Sequence, residues 1–565
     1  MKKIYYILSA ALLLAGCNVL DFDESSSQYT REDMYKTYSN IQKMLTNIYG
    51  YMPNKDIADV SSAMRECGSD DAEYADPEAS VQRFTNGNWS ALSTVDDKWS
   101  LYYGIRSANE FLSHWVENEA GELEATFDLS IYKYESKYSK WLDHLKYYPY
   151  QARVLRAYFF FELARRYGDI AMPLTMLTAE EANSIEKTPF NEVIDFIVAE
   201  CDECAKNLPS SYKGMLDDEL GRVTNGFALA VKTKALLYAA SPLHNPSGDK
   251  TKWQKAAQAA RQIMDLNQYI LDEADKANNF NSPEVIMAIA RSESSSFERN
   301  NFPVRFTEGE RTSMAGTFPS QNLVDAFQTV NGYDVTLTAN GWQCDDPAFS
   351  AADPYGNRDP RFARAILANG MTFKGSTIET FVGGKDYSAT RSELGTVTGY
   401  YLRKYIQEET SFTPEQTRSL KHQWIVYRYA EAVLTYAEAL NEYLGDPTSK
   451  EGGISALDAL NMVRTNAGMP AVNVTTQSAF RDAVRREWRV EFAFEDHRFW
   501  DIRRWNIAQS VMGQLDGVEI TRNGSGFDYK RKTVETRTWL DKMNLYPVPQ
   551  AETFNNPNLT QNTGW

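Results

Sequence analysis

Three groups of residues in this chain have types and spacings that chemistry uses. Cys201 and Cys204 form a C-x-x-C pair, the spacing of redox dithiols and of half a zinc site. A redox pair needs its first thiol at a helix N-terminus, where the helix dipole favours the thiolate. Here both fall late in "PFNEVIDFIVAECDECAKNLP", a helical pattern that starts near Pro189 and stops before Pro209, so the dipole opposes it. Zinc requires two more ligands, and His114, His144, His244, His422 and His497 show no ligand spacing. The pair is expected to pack.

The second group is the charged run "RREWRVEFAFEDHRFWDIRRW" (485–505). Glu487, Glu491 and Glu495 stand four apart, which on one helix face separates neighbours by about 5–6 Å at Cβ. That overlaps the carboxylate spacing of a retaining glycosidase, so an α-helical glycoside hydrolase is the rival reading. Arg485, Arg486, Arg489 and Arg498 interleave with these acids and would keep them ionised, and catalytic acid pairs usually project from separate elements. A salt-bridged helix with Trp488, Phe492 and Trp500 facing the core is expected instead. There is no G-x-S-x-G elbow, no phosphate-binding glycine loop and no H-E-x-x-H pair. No catalytic residue is assigned, and the protein is not read as an enzyme.

The third group is aromatic and amide side chains in loop-like sequence. A flat ring offers apolar area for the C–H face of a sugar, while nearby Asn, Asp and Arg can bond its hydroxyls. Asp70, Asp71, Tyr74, Arg83, Asn88 and Trp89 form one candidate set. Phe297, Arg299, Phe302, Phe306 and Trp342 form another.

The elements that must position these residues are mostly helices. "REDMYKTYSNIQKMLTNIYGYM", "WSLYYGIRSANEFLSHWV" and "YQARVLRAYFFFELARRYGDI" carry apolar residues at three- and four-residue intervals. An internal resemblance follows: "TNGFALAVKTKALLYAASPL" then "KWQKAAQAARQIMDLN", and later "YRYAEAVLTYAEALNEYLGD" then "GISALDALNMVRTNAG". Each is an Ala-rich helix, a short loop and a second helix, as tetratricopeptide-type pairs require. With pairs around 91–115 and 150–208, about four could stack into a solenoid. The expected fold is mainly α, with helix pairs over about 91–268 and 424–468 and a C-terminal helix and tail over 477–565. A loop-rich insertion at about 270–420 and the irregular stretch 60–90 are where a ligand is expected.

The chain begins with Lys2 and Lys3, an apolar run from Ile4 to Ala15, and then Gly16-Cys17. The run is shorter than the roughly 20 apolar residues of a membrane span and reads as a signal peptide over 1–16. A cysteine at the junction resembles a bacterial lipobox, making Cys17 the lipid attachment site, 17–30 a tether and 31–565 one anchored body. Of 565 residues 43% are hydrophobic, enough for a proper core, and the net charge of −17 argues against nucleic acid. After Cys17 only Cys67, Cys201, Cys204 and Cys344 remain, too few for a disulfide framework; whether Cys67 and Cys344 pair is left open.

Several segments together resemble the RagB/SusD family of outer-membrane lipoproteins of Bacteroidetes: "ARVLRAYFFFELARRYGDIAMP", "GRVTNGFALAVKTKALLYAASPL", "FPSQNLVDAFQTVNG" followed by "NRDPRF", "YRYAEAVLTYAEALNE", "LNMVRTNAGMP", "RREWRVEFAFEDHRFWDIRRW" and "LYPVPQAETFNNPNLTQNTGW". The resemblance implies four tetratricopeptide-like pairs with a variable loop-rich part. It also implies capture of a glycan outside the cell and delivery to a SusC-like TonB-dependent transporter, with the lipid anchor in the outer membrane. A peptide-binding or scaffold lipoprotein is a further alternative. The matching segments are scaffold segments, so the ligand candidates rest on residue chemistry. No cofactor is expected; some relatives bind calcium, but no dense carboxylate loop of EF-hand type occurs here.

Overall fold

The computed structural model describes residues 30, 32–53, 58–215, 221–273, 280–390 and 394–565. Cys17, the signal segment and nearly all of the tether lie outside these residues. The longer helices are α1 (Tyr38–Tyr49), α2 (Leu101–Leu112), α3 (Tyr148–Tyr167), α4 (Phe190–Asn207), α5 (Asn225–Ala240), α6 (Lys250–Asp265), α7 (Tyr429–Leu444), α8 (Ala456–Asn466) and α9 (Gln477–Glu491). A short α10 (Arg498–Arg504) follows. Each helix from α1 to α8 packs on the one before and the one after it. The result is a stack of four helix pairs, so the mainly α, tetratricopeptide-like architecture is what the chain adopts.

Helices α3, α5 and α7 are buried nearly all round. Ala228, Ala230, Ala235 and Ala240 of α5 are fully buried or nearly so. Their small side chains let α4 and α6 approach from opposite sides. Thr224 starts α5 by accepting from the Phe227 N–H, a cap that contributes about 1 kcal/mol. Helix α7 ends at Gly445, whose φ of +79° closes the helix in the left-handed region.

Strands used below are β1 (Ala72–Tyr74), β2 (Val285–Ser294), β3 (Thr317–Pro319), β4 (Val335–Thr338), β5 (Gly341–Cys344), β6 (Leu420–Arg428), β7 (Gln514–Asn523) and β8 (Gly526–Thr536). They pair antiparallel as β1–β3, β2–β6, β4–β5 and β7–β8. The β2–β6 ribbon leads the chain back into α7. The β7–β8 ribbon lies in the segment expected as a tail; it turns at Gly524-Ser525, where Gly524 takes φ +62°.

The loop-rich part has a small core of its own, built from Ala75, Phe302, Phe318, Phe373, Tyr401 and Phe412. The run 485–505 is two helices rather than one. Helix α9 stops at Phe492, and Phe494 and Asp496 take positive φ values of +63° and +64° before α10 begins. Glu495 therefore does not share a helix face with Glu487 and Glu491. Trp488, Phe492 and Trp500 are buried, as expected.

Candidate ligand-binding site

Most of the residues singled out in the loops turn inward. Asp70 and Asp71 are buried beneath α9 and α10. Arg498 grips Asp70 with two bonds of 2.8 Å, and Arg489 donates to Asp70 at 2.9 Å and to Asp71 at 2.7 Å. Burial opposes the charge of Asp70, but the two guanidiniums prevail and hold its carboxyl below the usual range. Trp89 meets Phe84, Tyr546 and Trp565 edge-on at 4.8, 4.7 and 5.0 Å and so fastens the C-terminus. Tyr74 is buried in β1. Phe302 is fully buried, edge-on to Phe373 and Phe412, while Phe306 packs from the outside. A ring with both faces against protein has none left for a sugar.

With Phe306, four further candidates keep contact with solvent. Asn88 is exposed, and Arg83, Arg299 and Trp342 are half-buried. Trp342 stands edge-on to Tyr355 at 5.8 Å. The β1–β3 pairing brings the two candidate sets to one small core, since Ala75, next to Tyr74, packs with Phe302; Trp342 sits apart, beside Tyr529 of β8. Phe297 lines a cavity of about 270 Å³ with Arg291, Ser294, Ser296 and His422. Behind it the His422 ring nitrogen lies 2.8 Å from Glu298.

Glu487 and Glu491 of α9, and Glu495 just after it, are held by cations from other segments, not by the arginines beside them. Glu487 lies 2.6 Å from Arg361 and 2.9 Å from Arg464. Glu491 lies 2.7 Å from Arg361 and 2.8 Å from Arg428. Glu495 meets Arg428 at 2.9 Å and Lys404 at 2.8 Å. Burial would raise the Glu491 carboxyl, but Arg428 and Arg361 bring it down to about 2. A general acid has to hold its proton near neutral pH, and this one does not. Cys201 and Cys204 are both buried, and burial pushes both thiols up, Cys204 to about 12. That is the state of packing cysteines. Cys67 and Cys344 are both free.

A cleft the loop candidates do not touch opens beside α2. Trp99, just before the helix, and Tyr102, Tyr103 and Arg106 within it point to one side. Facing them are the strap 171–185 and the C-terminal residues Glu552, Asn555, Asn556 and Leu559, around about 280 Å³. The walls are fastened to backbone carbonyls. Tyr102 donates to Ala171 at 3.1 Å, Arg106 to Leu177 at 3.0 Å, and Asn109 to Pro173 and Thr175 at 3.0 and 3.1 Å. Asn556 donates to Ala182 and Ile185 at 3.2 and 2.9 Å. The spacing of Trp99, Tyr102, Tyr103 and Arg106 was visible in sequence, but an aromatic stripe at helical spacing reads as core.

Residues 283–565 match the model of the SusD family, a span that holds α7 to α10 and the whole set of cations around α9. The chain belongs to the SusD family. A SusD-like protein of Formosa agariphila is 25% identical over 591 aligned positions, covering all of this chain and 99% of its own. The starch-binding protein SusD of Bacteroides thetaiotaomicron is 30% identical over 140 residues, 25% of this chain and 21% of that one. A crystal structure of a SusD-like protein from Bacteroides fragilis superposes with a TM-score of 0.74 at 25% identity, covering 95% of this chain and 99% of the other. The ion pairs of Glu487, Glu491 and Glu495 thus belong to the part of this SusD-family chain that carries the family match. The α2 cleft draws mainly on residues before it, closed by Glu552–Leu559 at its far end.

Proposed function

We propose that this protein captures a glycan at the bacterial cell surface and delivers it to a SusC-like TonB-dependent transporter, without acting on it chemically. The observation that carries the reading is membership of the SusD family, whose namesake among the relatives is a starch-binding protein. The structure supports the non-catalytic part: each carboxylate of the rival hydrolase reading is buried against arginine or lysine. No helix among the described residues is long and apolar enough to cross a membrane, and attachment through lipid on Cys17 fits a body of this kind. Two lipid chains or more would hold it stably, since each buried methylene contributes about 0.8 kcal/mol.

The test is calorimetry of the body from residue 18 against a panel of polysaccharides, with co-purification of the lipidated chain from outer membranes. Binding to a glycan and recovery of a TonB-dependent barrel are expected. Absence of both overturns the reading. Release of reducing ends by the wild type, lost in Glu487→Gln, would restore the hydrolase.

A further inference from the structure

We propose that the cleft between α2 and the C-terminal residues 552–559 is a subsite for a single neutral sugar ring of the captured glycan. The inference rests on the glycan-binding reading above and adds where a ring is held and what charge it carries.

The cleft combines an apolar floor, whose Trp99 and Tyr102 rings are tilted 58° to each other, with polar groups at its lip. Trp99, Tyr102 and Leu559 form the floor, and Tyr103 at the edge is 45% exposed. Asn183 and Asn555 are exposed at the rim, and their side-chain amides have no protein partner among the described residues. Each offers both a donor and an acceptor, the pair of functions that a sugar hydroxyl takes up. This is the composition of small-ligand sites, apolar walls with a few convergent polar groups.

Size and charge narrow the ligand. At about 280 Å³ the cleft sits at the lower edge of the roughly 300–1,000 Å³ typical of small-molecule sites. It takes a ring, not a length of chain. Glu552 stands half-buried in the wall, where burial raises its pKa. Arg106 is anchored to the wall through the Leu177 carbonyl and keeps its charge, so the lining holds one cation and one anion and is already balanced. An anionic sugar would set a second negative charge beside Glu552 in a partly desolvated place, which is costly. A neutral ring meets no such penalty. The walls need no reordering, because Tyr102, Asn109 and Asn556 are already fastened to backbone, and a pre-formed site loses less on binding.

The experiment is calorimetry of the mature lipidated chain in detergent with hexasaccharides. The neutral probes are an α-1,4-glucan, a β-1,3-glucan, a β-1,4-mannan and a β-1,4-galactan; a hexauronate is the charged control. The wild type should bind at least one neutral probe and bind it more tightly than the hexauronate. Tyr103→Ala should weaken that binding about tenfold, one stacking contact, and Asn555→Ala about fivefold, one hydrogen bond. Tyr103→Phe should stay within twofold. Both positions are exposed, so folding is preserved, which unchanged thermal melting verifies. Neutral binding that persists within twofold in Tyr103→Ala and Asn555→Ala overturns the subsite and leaves the functional reading intact. Binding of the hexauronate alone also overturns it. If no probe binds the wild type, the subsite and the glycan reading fall together.

Discussion

Arg361 Nη1 lies 2.6 Å from Glu487 Oε1, although the two residues stand 126 positions apart. Arg361 comes from "NRDPRF" in the loop-rich part and Glu487 from "RREWRVEF" in α9, two of the segments that carry the family resemblance. Their meeting fastens the irregular region to the helix stack. Arg361 also bonds Glu491 at 2.7 Å and Asp359 at 2.7 Å, so one guanidinium gathers three carboxylates.

Arg361→Ala would leave those carboxylates buried with too little positive charge. Removing one partner of a buried pair costs about 3–5 kcal/mol, because the remaining charge stays desolvated. Chemical denaturation should show a loss of that order, with the loop-rich part becoming more susceptible to proteolysis. A loss below about 1 kcal/mol, the range of surface pairs, would mean that the cluster does not carry the junction.

The same cluster makes stability depend on pH in two directions. Glu491 is held at about 2, below its ordinary 4.5, so its contribution is present above 4.5 and is lost as pH falls toward 2. Glu284 is pushed up to about 7, first by burial and then by the Glu491 carboxylate, against the pull of Arg428. Its contribution is complete below 4.5 and is lost as pH rises through 7. Burial and the Asp496 carboxylate push Glu66 the same way. Thermal melting should therefore peak in mild acid and decline toward neutrality. In Glu284→Gln, which keeps the uncharged shape, the decline between pH 4.5 and 7 should be shallower; an identical slope would remove Glu284 as its source.

How much of this could be read from sequence depends on the distance over which each signal acts. Helices such as α5 and α7 were legible because apolar spacing, Thr224 at one end and Gly445 at the other are all local. The pairing of Glu487, Glu491 and Glu495 with Arg361, Arg428 and Lys404 was not, since charge spacing shows only that arginines lie beside acids. The neighbours Arg489 and Arg498 reach instead to Asp70 and Asp71, over 400 residues away. Loop aromatics were equally ambiguous: Trp89 pinned against Tyr546 and a Trp awaiting a sugar have the same local sequence. The β7–β8 ribbon had a local signal, Gly524-Ser525 as a two-residue turn between the strands.

The cysteines offer a direct check of burial. Cys67, Cys201 and Cys204 are buried, while Cys344 is half-buried. Burial pushes the three buried thiols up, which withholds the reactive thiolate. In the body from residue 18, a thiol reagent at pH 8 should label Cys344 first and the other three only after unfolding. Rapid labelling of Cys201 or Cys204 in the native protein would contradict the packing of α4 against α5.

Gly104 tests the seat of the cleft helix. A Cβ at this position would lie 2.7 Å from Tyr51 Cβ and 2.8 Å from the buried Phe159 ring. In an exposed helix Gly→Ala gains about 1 kcal/mol, but overpacking a close contact costs roughly 1–3 kcal/mol. Tyr51 Cβ cannot rotate away as the tip of a long side chain could, so the clash should prevail and move α2 outward. Gly104→Ala should then lower stability in denaturant. It should also weaken glycan binding at Tyr103, which the same helix carries on another face. A neutral or stabilised variant would show that α2 has room to spare at this crossing. Lost stability with unchanged binding would separate the helix seat from the cleft.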